Sequence, residues 1–444
     1  MANASVAGKI NASEERMEFS SDESDIEHDT NGSFQQIPVK PRKLSLKNRS
    51  SSNLTGIQNL PPEIMFSILQ FIEVPLLMNE VKFISRYFYD FLTSTEFWEM
   101  RLGSCLSSFS GCSDVFLKVS DVELEQMNKV GIIRSVHELE CGKSLSYNTS
   151  VVQHRSTSNH YGDIHCVKIL TGPASSTAIS GSRDKTICIY DLKLLPSKDD
   201  CVVNTNTDHN GWIWTIDQED GISSRICSGS WDSFVHFYEL GRGDLEMITK
   251  LPVHSAVLCT RYEPNFLIYG TYSKFVSGYD VRSETVVWML KHHTKPVLSV
   301  TSSDNYIWST GEDHALACYD RRAGKLFKRI KMERISSAIQ FDDPYLWVAG
   351  YDGFVKRFSQ DMKIISKFDT GHTAPILDMS HTNGATVTAC KDGAVKIFSP
   401  NFSAVQWNSF SLGNSASCVD YKDGIVMAGC CDSTVTFWRN NTRG

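Results

Sequence analysis

A unit of about 40 residues repeats seven times in the C-terminal part of the chain, and no other feature narrows the fold so far. Each copy runs through small residues, a turn acid, alternating apolar residues and an aromatic: SGSRDKTICIYD, SGSWDSFVHFYE, YGTYSKFVSGYD, STGEDHALACYD, VAGYDGFVKRFS, TACKDGAVKIFS and AGCCDSTVTFWR. The turn position falls at Asp184, Asp232, Ser273, Asp313, Asp352, Asp392 and Asp432, in steps of 48, 41, 40, 39, 40 and 40 residues. That period is the length of a four-stranded propeller blade. The one long step marks an insertion around Lys193 to Asp208.

Six residues follow Trp438, too few for the fourth strand of the last blade. An open sheet edge exposes unpaired backbone groups. The β-branched segment Tyr147 to Gln153 (YNTSVVQ), just ahead of the first repeat, is available to fill it. The expected fold is therefore an all-β seven-bladed propeller closed by its two ends.

Upstream the character changes. Residues 60 to 101 carry apolar residues at helical spacing, among them Ile64, Ile68 and Ile72, then Val81, Ile84 and Phe88. Pro61 and Pro62 open the first helix with Glu63 in its first turn, and Pro75 interrupts before the second. The expected organisation is a disordered tail over 1–54, a small all-α module over 55–101, a helical linker over 102–145 that sets the distance between its neighbours, and the propeller over 146–440. The linker's helix is expected to be capped near Ser120 or Asp121. The tail is poor in aromatics, with an acidic run around Ser20, Ser21 and Ser24 and a basic run from Lys40 to Arg49.

Several function classes fall away. No run of apolar residues is long enough to span a bilayer, and the N-terminal stretch lacks the basic start and apolar core of a secretion signal, so neither membrane nor secretory pathway is expected. A cytoplasmic or nuclear location follows. The 13 cysteines sit at no disulfide or zinc spacing; Cys166, Cys188, Cys259, Cys318 and Cys418 lie inside apolar runs and read as small core residues. A net charge of −7 gives no general attraction to nucleic acid. With no phosphate loop, nucleophile elbow or paired carboxylates, no catalytic residue, metal or cofactor is expected.

A His stands ahead of several of the small-residue strands, at His209, His254, His292 or His293, and His372, and Gly371-His372 spells the GH of a WD repeat. The seven units resemble WD repeats, and Leu60, Pro61, Glu63, Ile64, Ile68, Leu69 and Trp98 resemble an F-box. Together these residues place the chain by resemblance in the F-box/WD-repeat family. NGWIWTI, SGSWDS, LIYGTYSK and YDRRAGKL are most similar to the subfamily called F-box/WD-repeat-containing protein nine.

The resemblance implies a non-catalytic receptor of an SCF-type ubiquitin ligase, whose F-box binds the Skp adaptor of a cullin scaffold and whose propeller holds a protein target. By the family pattern the adaptor-facing residues are Leu60, Pro61, Ile64, Ile68, Leu69, Leu76, Leu77 and Val81, about half of which the small module also needs for its own core. Val74-Pro75-Leu76 departs from the family's usual acidic residue near the second helix start. A WD-repeat scaffold without any part in ubiquitin transfer is the other reading.

Receptors of this family that read phosphorylated targets cluster arginines before the turn acid and at one inner-strand position per blade. Here the first set is Arg183, Trp231, Tyr272, Glu312, Tyr351, Lys391 and Cys431, and the second is His165, Trp214, Leu258, Leu298, Ser337, Leu377 and Ser417. Only Arg183 and Lys391 among them are cations. The expected target-binding residues are Arg183, Trp214, Trp231, Tyr272, Tyr351 and Lys391, with aromatic anchors in place of a phosphate clamp.

Overall fold

The computed structural model describes residues 60–107, 129–145, 151–156, 160–195, 201–221, 224–241, 243–400 and 404–440. The tail expected over 1–54 and the helix start expected near Ser120 lie outside them.

Seven four-stranded antiparallel sheets form the ring. In six of them four consecutive strands pair in chain order, as in blade 1: Ile164–Ile169, Thr177–Ser182, Ile187–Asp191 and Val202–Asn206. The seventh takes Ala416–Lys422, Ile425–Cys430 and Val435–Asn440 from the chain's end and Val151–Ser156 from before blade 1. That closing strand pairs antiparallel from Val151 opposite Asn440 to Ser156 opposite Val435. It starts four residues beyond Tyr147, where the closing segment was expected to begin.

Position in the blade explains the sequence of each strand. The second and third strands are covered on both faces by neighbouring blades, so Thr177–Ser182 and Ile187–Asp191 are buried almost throughout. The outer strands keep one face in water, and Lys325–Lys331 alternates exposed with half-buried residues. The seam between blades 1 and 7 is packed like the others: Cys188 and Tyr190 share a core with Met427, Val435 and Phe437. The free thiols of Cys166, Cys188, Cys259, Cys318 and Cys418 are all buried.

The inner strands stitch blade to blade through side chains that accept from the next blade's main chain. Asp217 takes the Tyr262 amide at 2.9 Å, Asp378 takes Val419 at 2.9 Å and Asp420 takes Ile169 at 2.8 Å across the seam. These bonds satisfy backbone groups that a sheet edge leaves open.

Ahead of the propeller stand α1 (Pro62–Leu69), α2 (Val74–Asn79), α3 (Arg86–Leu92), α4 (Thr95–Ser107) and α5 (Lys129–Ser144). Ser85 caps α3 by accepting from the Phe88 amide at 3.3 Å. Met65, Leu69, Leu77, Phe97 and Trp98 form one core with Ile132, Val136 and Leu139 of α5. Buried Arg101 pins that packing: its guanidinium donates to Glu140 of α5 at 2.6 and 2.9 Å and to the carbonyls of Leu69 and Ile72. The helix expected as a spacer is thus one wall of the helical module.

The far end of α5 docks on the propeller. Leu145 enters the core of blades 6 and 7, and Asn408 donates to its carbonyl at 3.1 Å. Glu138 meets Lys422 at 3.7 Å. A Cβ on Gly142 would lie 2.0 Å from the carbonyl oxygen of Gly384, so only glycine permits this contact.

Candidate functional site: the ring mouth and the helical module's apolar face

The turns between second and third strands are held by side chains. In blade 1, His160 bridges Asp184 at 2.9 Å and Ser180 at 2.7 Å; in blade 2, His209 bridges Asp232 at 2.8 Å and Ser228 at 2.7 Å. Blade 4 uses His293, which bridges Asp313 and Ser309, and leaves His292 outside the bridge; blade 6 uses His372 with Asp392 and Thr388. His160 was missed in the sequence although its offset gives it away: it stands 24 residues ahead of Asp184, against 23 from His209 to Asp232. His254 corrects the expectation in the other direction: it is exposed, and blade 3 ties its turn by a Ser273–Ser255 hydroxyl pair at 2.8 Å. A serine at the turn offers no carboxylate to hold an imidazole.

Two of these groups, His209–Asp232–His236 and His372–Cys390–Asp392, bring ligand atoms close enough for a metal ion. Both ring nitrogens of His209 and of His372 are already engaged within their blades, which assigns the clusters to the scaffold.

Bracing of the turns fixes the residue before each one. The amide of Arg183 donates to Asp163 O at 2.8 Å, Trp231 to Trp212 at 2.9 Å, Tyr272 to Ala256 at 2.9 Å, Glu312 to Pro296 at 3.0 Å, Tyr351 to Ile335 at 2.9 Å, Lys391 to Pro375 at 3.0 Å and Cys431 to Ser415 at 3.1 Å. One hydrogen bond recurs in all seven blades and sets the rim.

Two residues beyond each of those acceptors the inner strand has a β-bulge, which skips His165, Trp214, Leu258, Leu298, Ser337, Leu377 and Ser417. A bulge re-aims the side chain of its extra residue. All seven line a central cavity of about 500 Å³, with Tyr351 and Cys431 from the rim.

On blades 1 to 3 the aromatic side chains touch in series. His165 stacks on Trp214 at 4.2 Å, Trp214 meets Trp231 at 5.8 Å, and Trp231 meets Tyr272 at 5.5 Å. Trp212, missed in the sequence, packs on Trp231 at 5.5 Å and lies under the Arg183 guanidinium at 4.0 Å. Its signal is its offset, since it is the residue whose carbonyl anchors the rim. Arg183 also pairs with Asp163 at 3.6 Å. Tyr351 is separate from this ridge, on blade 5, where it also borders a hollow with His314 and Arg334. Lys391 is exposed on blade 6, with blade 7 between it and Arg183.

Below the apolar tier the channel is ionic and internally paired. Lys168 meets Asp217 at 2.8 Å and Arg261 meets Asp220 at 2.6 Å. Ser337 and Ser417 donate to the Ile376 and Ile164 carbonyls of neighbouring blades. Burial lowers the His165 imidazole below its usual range, so it adds no cation at neutral pH.

The helical module presents an apolar surface of its own. Ile64 and Ile68 are 48% and 45% exposed on one face of α1, Leu76 is exposed on α2, and Pro61 is exposed at the start of α1. Leu69 and Leu77, expected on that surface, are 3% and 0% exposed and belong to the core; so small a module uses every inward turn of its helices for packing. Leu60 and Val81 are half-buried against the same core. Phe71, 84% exposed, was missed although it continues the Ile64–Ile68 stripe by helical spacing, and Phe83 and Ile84 are exposed too. No single helix among the described residues is long and apolar enough to cross a membrane; one bent pair, Glu63–Leu69 with Val74–Phe83, has the composition and turns through 115°.

The module and the ridge lie on opposite faces of the ring. Helix α5 touches Gly384 and Gly424, in turns between first and second strands, whereas the rim is built on turns between second and third. In an antiparallel blade those turns are at opposite ends.

Comparison with known proteins agrees with this architecture. Residues 152–191 match the family model described as WD domain, G-beta repeat. The chain is 26% identical over 401 residues to the human protein named F-box/WD repeat-containing protein 9, covering 86% of this chain and 82% of that one. The Bos taurus protein of the same name is 25% identical over 415 residues, covering 89% and 86%. F-box/WD repeat-containing protein mec-15 of Caenorhabditis elegans is 23% identical over 407 residues, covering 86% and 96%. Among solved structures, that of the computationally designed Ika8 protein superposes with a TM-score of 0.51 at 17% identity, over 64% of this chain and 98% of that chain, a likeness of fold alone. Seven four-stranded blades and a helical module with an apolar face thus belong to a chain that is similar, over most of its length, to proteins named F-box/WD repeat-containing.

Proposed function

We propose that the chain is a non-catalytic substrate receptor of an SCF-type ubiquitin ligase, its helical module binding the Skp adaptor and, through it, the cullin. The observation that carries the reading is the pairing of two unlike surfaces on opposite faces of one rigid ring: the Ile64–Ile68–Phe71 stripe on one side and the bulge-lined mouth on the other. An exposed apolar patch on a soluble module marks a docking surface. The mouth, with Arg183, Trp214, Trp231, Tyr272, Tyr351 and Lys391, holds the protein target. The names of the relatives support the F-box half of the reading.

Co-expression of the full chain with a Skp adaptor and cullin tests it. Stoichiometric co-purification is expected, abolished by Ile64→Asp with Ile68→Asp while the propeller keeps its melting temperature. Absence of adaptor from the wild-type complex would favour a scaffold.

A further inference from the structure

Three kinds of target side chain compete for the mouth. A phosphate is held by several converging cations. Arg183 is already stacked on Trp212 and paired with Asp163, Lys168 and Arg261 are paired inside the channel, and Lys391 is separated from Arg183 by the whole of blade 7. A cationic side chain is attracted by aromatic faces. Here Arg183 covers Trp212, and Arg183 and Lys391 repel further positive charge. The carboxylates below are occupied as well: Asp217 by Lys168 and the Tyr262 amide, Asp420 by Ser380 and the Ile169 amide.

What remains open is apolar. Trp214 shares the cavity with Leu258, Leu298 and Leu377, and the ridge leads into it from Tyr272 through Trp231. His165 Nε2 and Trp231 Nε1 within this wall are shielded from water and make no hydrogen bond, so the wall turns ring faces rather than these nitrogens toward the mouth. Resting on the receptor reading above, we propose that the mouth takes an unphosphorylated extended peptide by one large apolar or aromatic side chain, set over the Trp214–Trp231 wall.

The test uses arrays of short random peptides, printed with either serine or phosphoserine at the centre and probed with the full chain in its adaptor complex. The expected hits share one Leu, Met, Phe, Tyr or Trp, gain nothing from phosphate, and lose about 30-fold or more with Trp231→Ala but under about threefold with Lys391→Ala. Trp231→Phe, which keeps a ring and guards against misfolding, is expected to lose far less. Hits that require phosphoserine or a Lys or Arg anchor, and that fail with Lys391→Ala or Arg183→Ala, overturn the apolar class and leave the mouth as the target site. Hits indifferent to every mouth substitution, or none at all, overturn the mouth as a peptide site and the inference with it.

Discussion

Gly142 of α5 and Gly384 of blade 6 meet backbone to backbone: a Cβ on either would stand 2.0 to 2.3 Å from a carbonyl oxygen across the contact, Gly384 O for the first and Glu138 O for the second. No rotamer relieves a clash with main chain, so Gly142→Ala is expected to destabilise the joint by about 1–3 kcal/mol, the range of overpacking. Gly103, in α4 with nothing near its Cβ position, is the control, and Gly103→Ala is expected to stabilise by about 0.5–1 kcal/mol. Chemical denaturation of both variants, with hydrogen exchange across α5, separates the two effects.

Neighbouring leucines of α2 have different jobs. Leu77→Ala, at the centre of the module's core, is expected to cost about 2–5 kcal/mol. Leu76→Asp, on the exposed side, is expected to leave stability within about 0.5 kcal/mol and to remove adaptor capture on the proposed reading. Melting curves and pull-downs on the same preparations decide it.

Histidines that look alike in the repeat differ in role. His209→Ala leaves Asp232 and Ser228 without their bridge inside blade 2, and a loss of about 1–3 kcal/mol is expected. His254→Ala, at an exposed position of blade 3, is expected to change stability by less than about 0.5 kcal/mol. Equal losses would show that His254 braces its turn after all.

The joint between module and ring is also expected to respond to pH. Burial first, then the nearby Glu138 carboxylate, raises Asp342 to about 6, against the opposing pull of Arg134 and Lys422, while Asp343 adds to the rise. His381 lies 3.6 Å away, but burial, then Arg357, lowers it to about 3, so it carries no charge at neutral pH. A carboxyl whose folded pKa is raised above its unfolded value favours folding in acid, and that advantage is lost as pH rises through about 6. Asp342→Asn is therefore expected to raise the melting temperature at about pH 7.5 and to make no difference near about pH 4. A melting series across that interval tests the sign.

The ring was legible because its signal repeats: one turn acid every blade, seven times over, survives the loss of Asp at Ser273 and of His in blades 5 and 7. The mouth was legible by offset from those turns, including Ser337 and Ser417, which the bulges place in register with the other five positions. Trp212 was not, because its place on the rim depends on which carbonyl accepts from Trp231. Leu69 and Leu77 were misplaced because a short amphipathic helix gives no sign of which neighbour covers which face. The docking of α5 was invisible for a related reason: Gly142 and Gly384 matter through a main-chain approach between residues far apart in sequence.

The pairing of Val151–Ser156 with Val435–Asn440 sets an order of events at the ribosome. The closing strand emerges before the first blade and waits, unpartnered, until the last strand of the ring has left the exit tunnel. A chain halted before Val435 can carry a finished helical module and an open, unzipped ring. Only a chain read past Asn440 closes the ring on which α5 and the mouth sit, so unfinished copies of a ring of this build carry an unpaired seam.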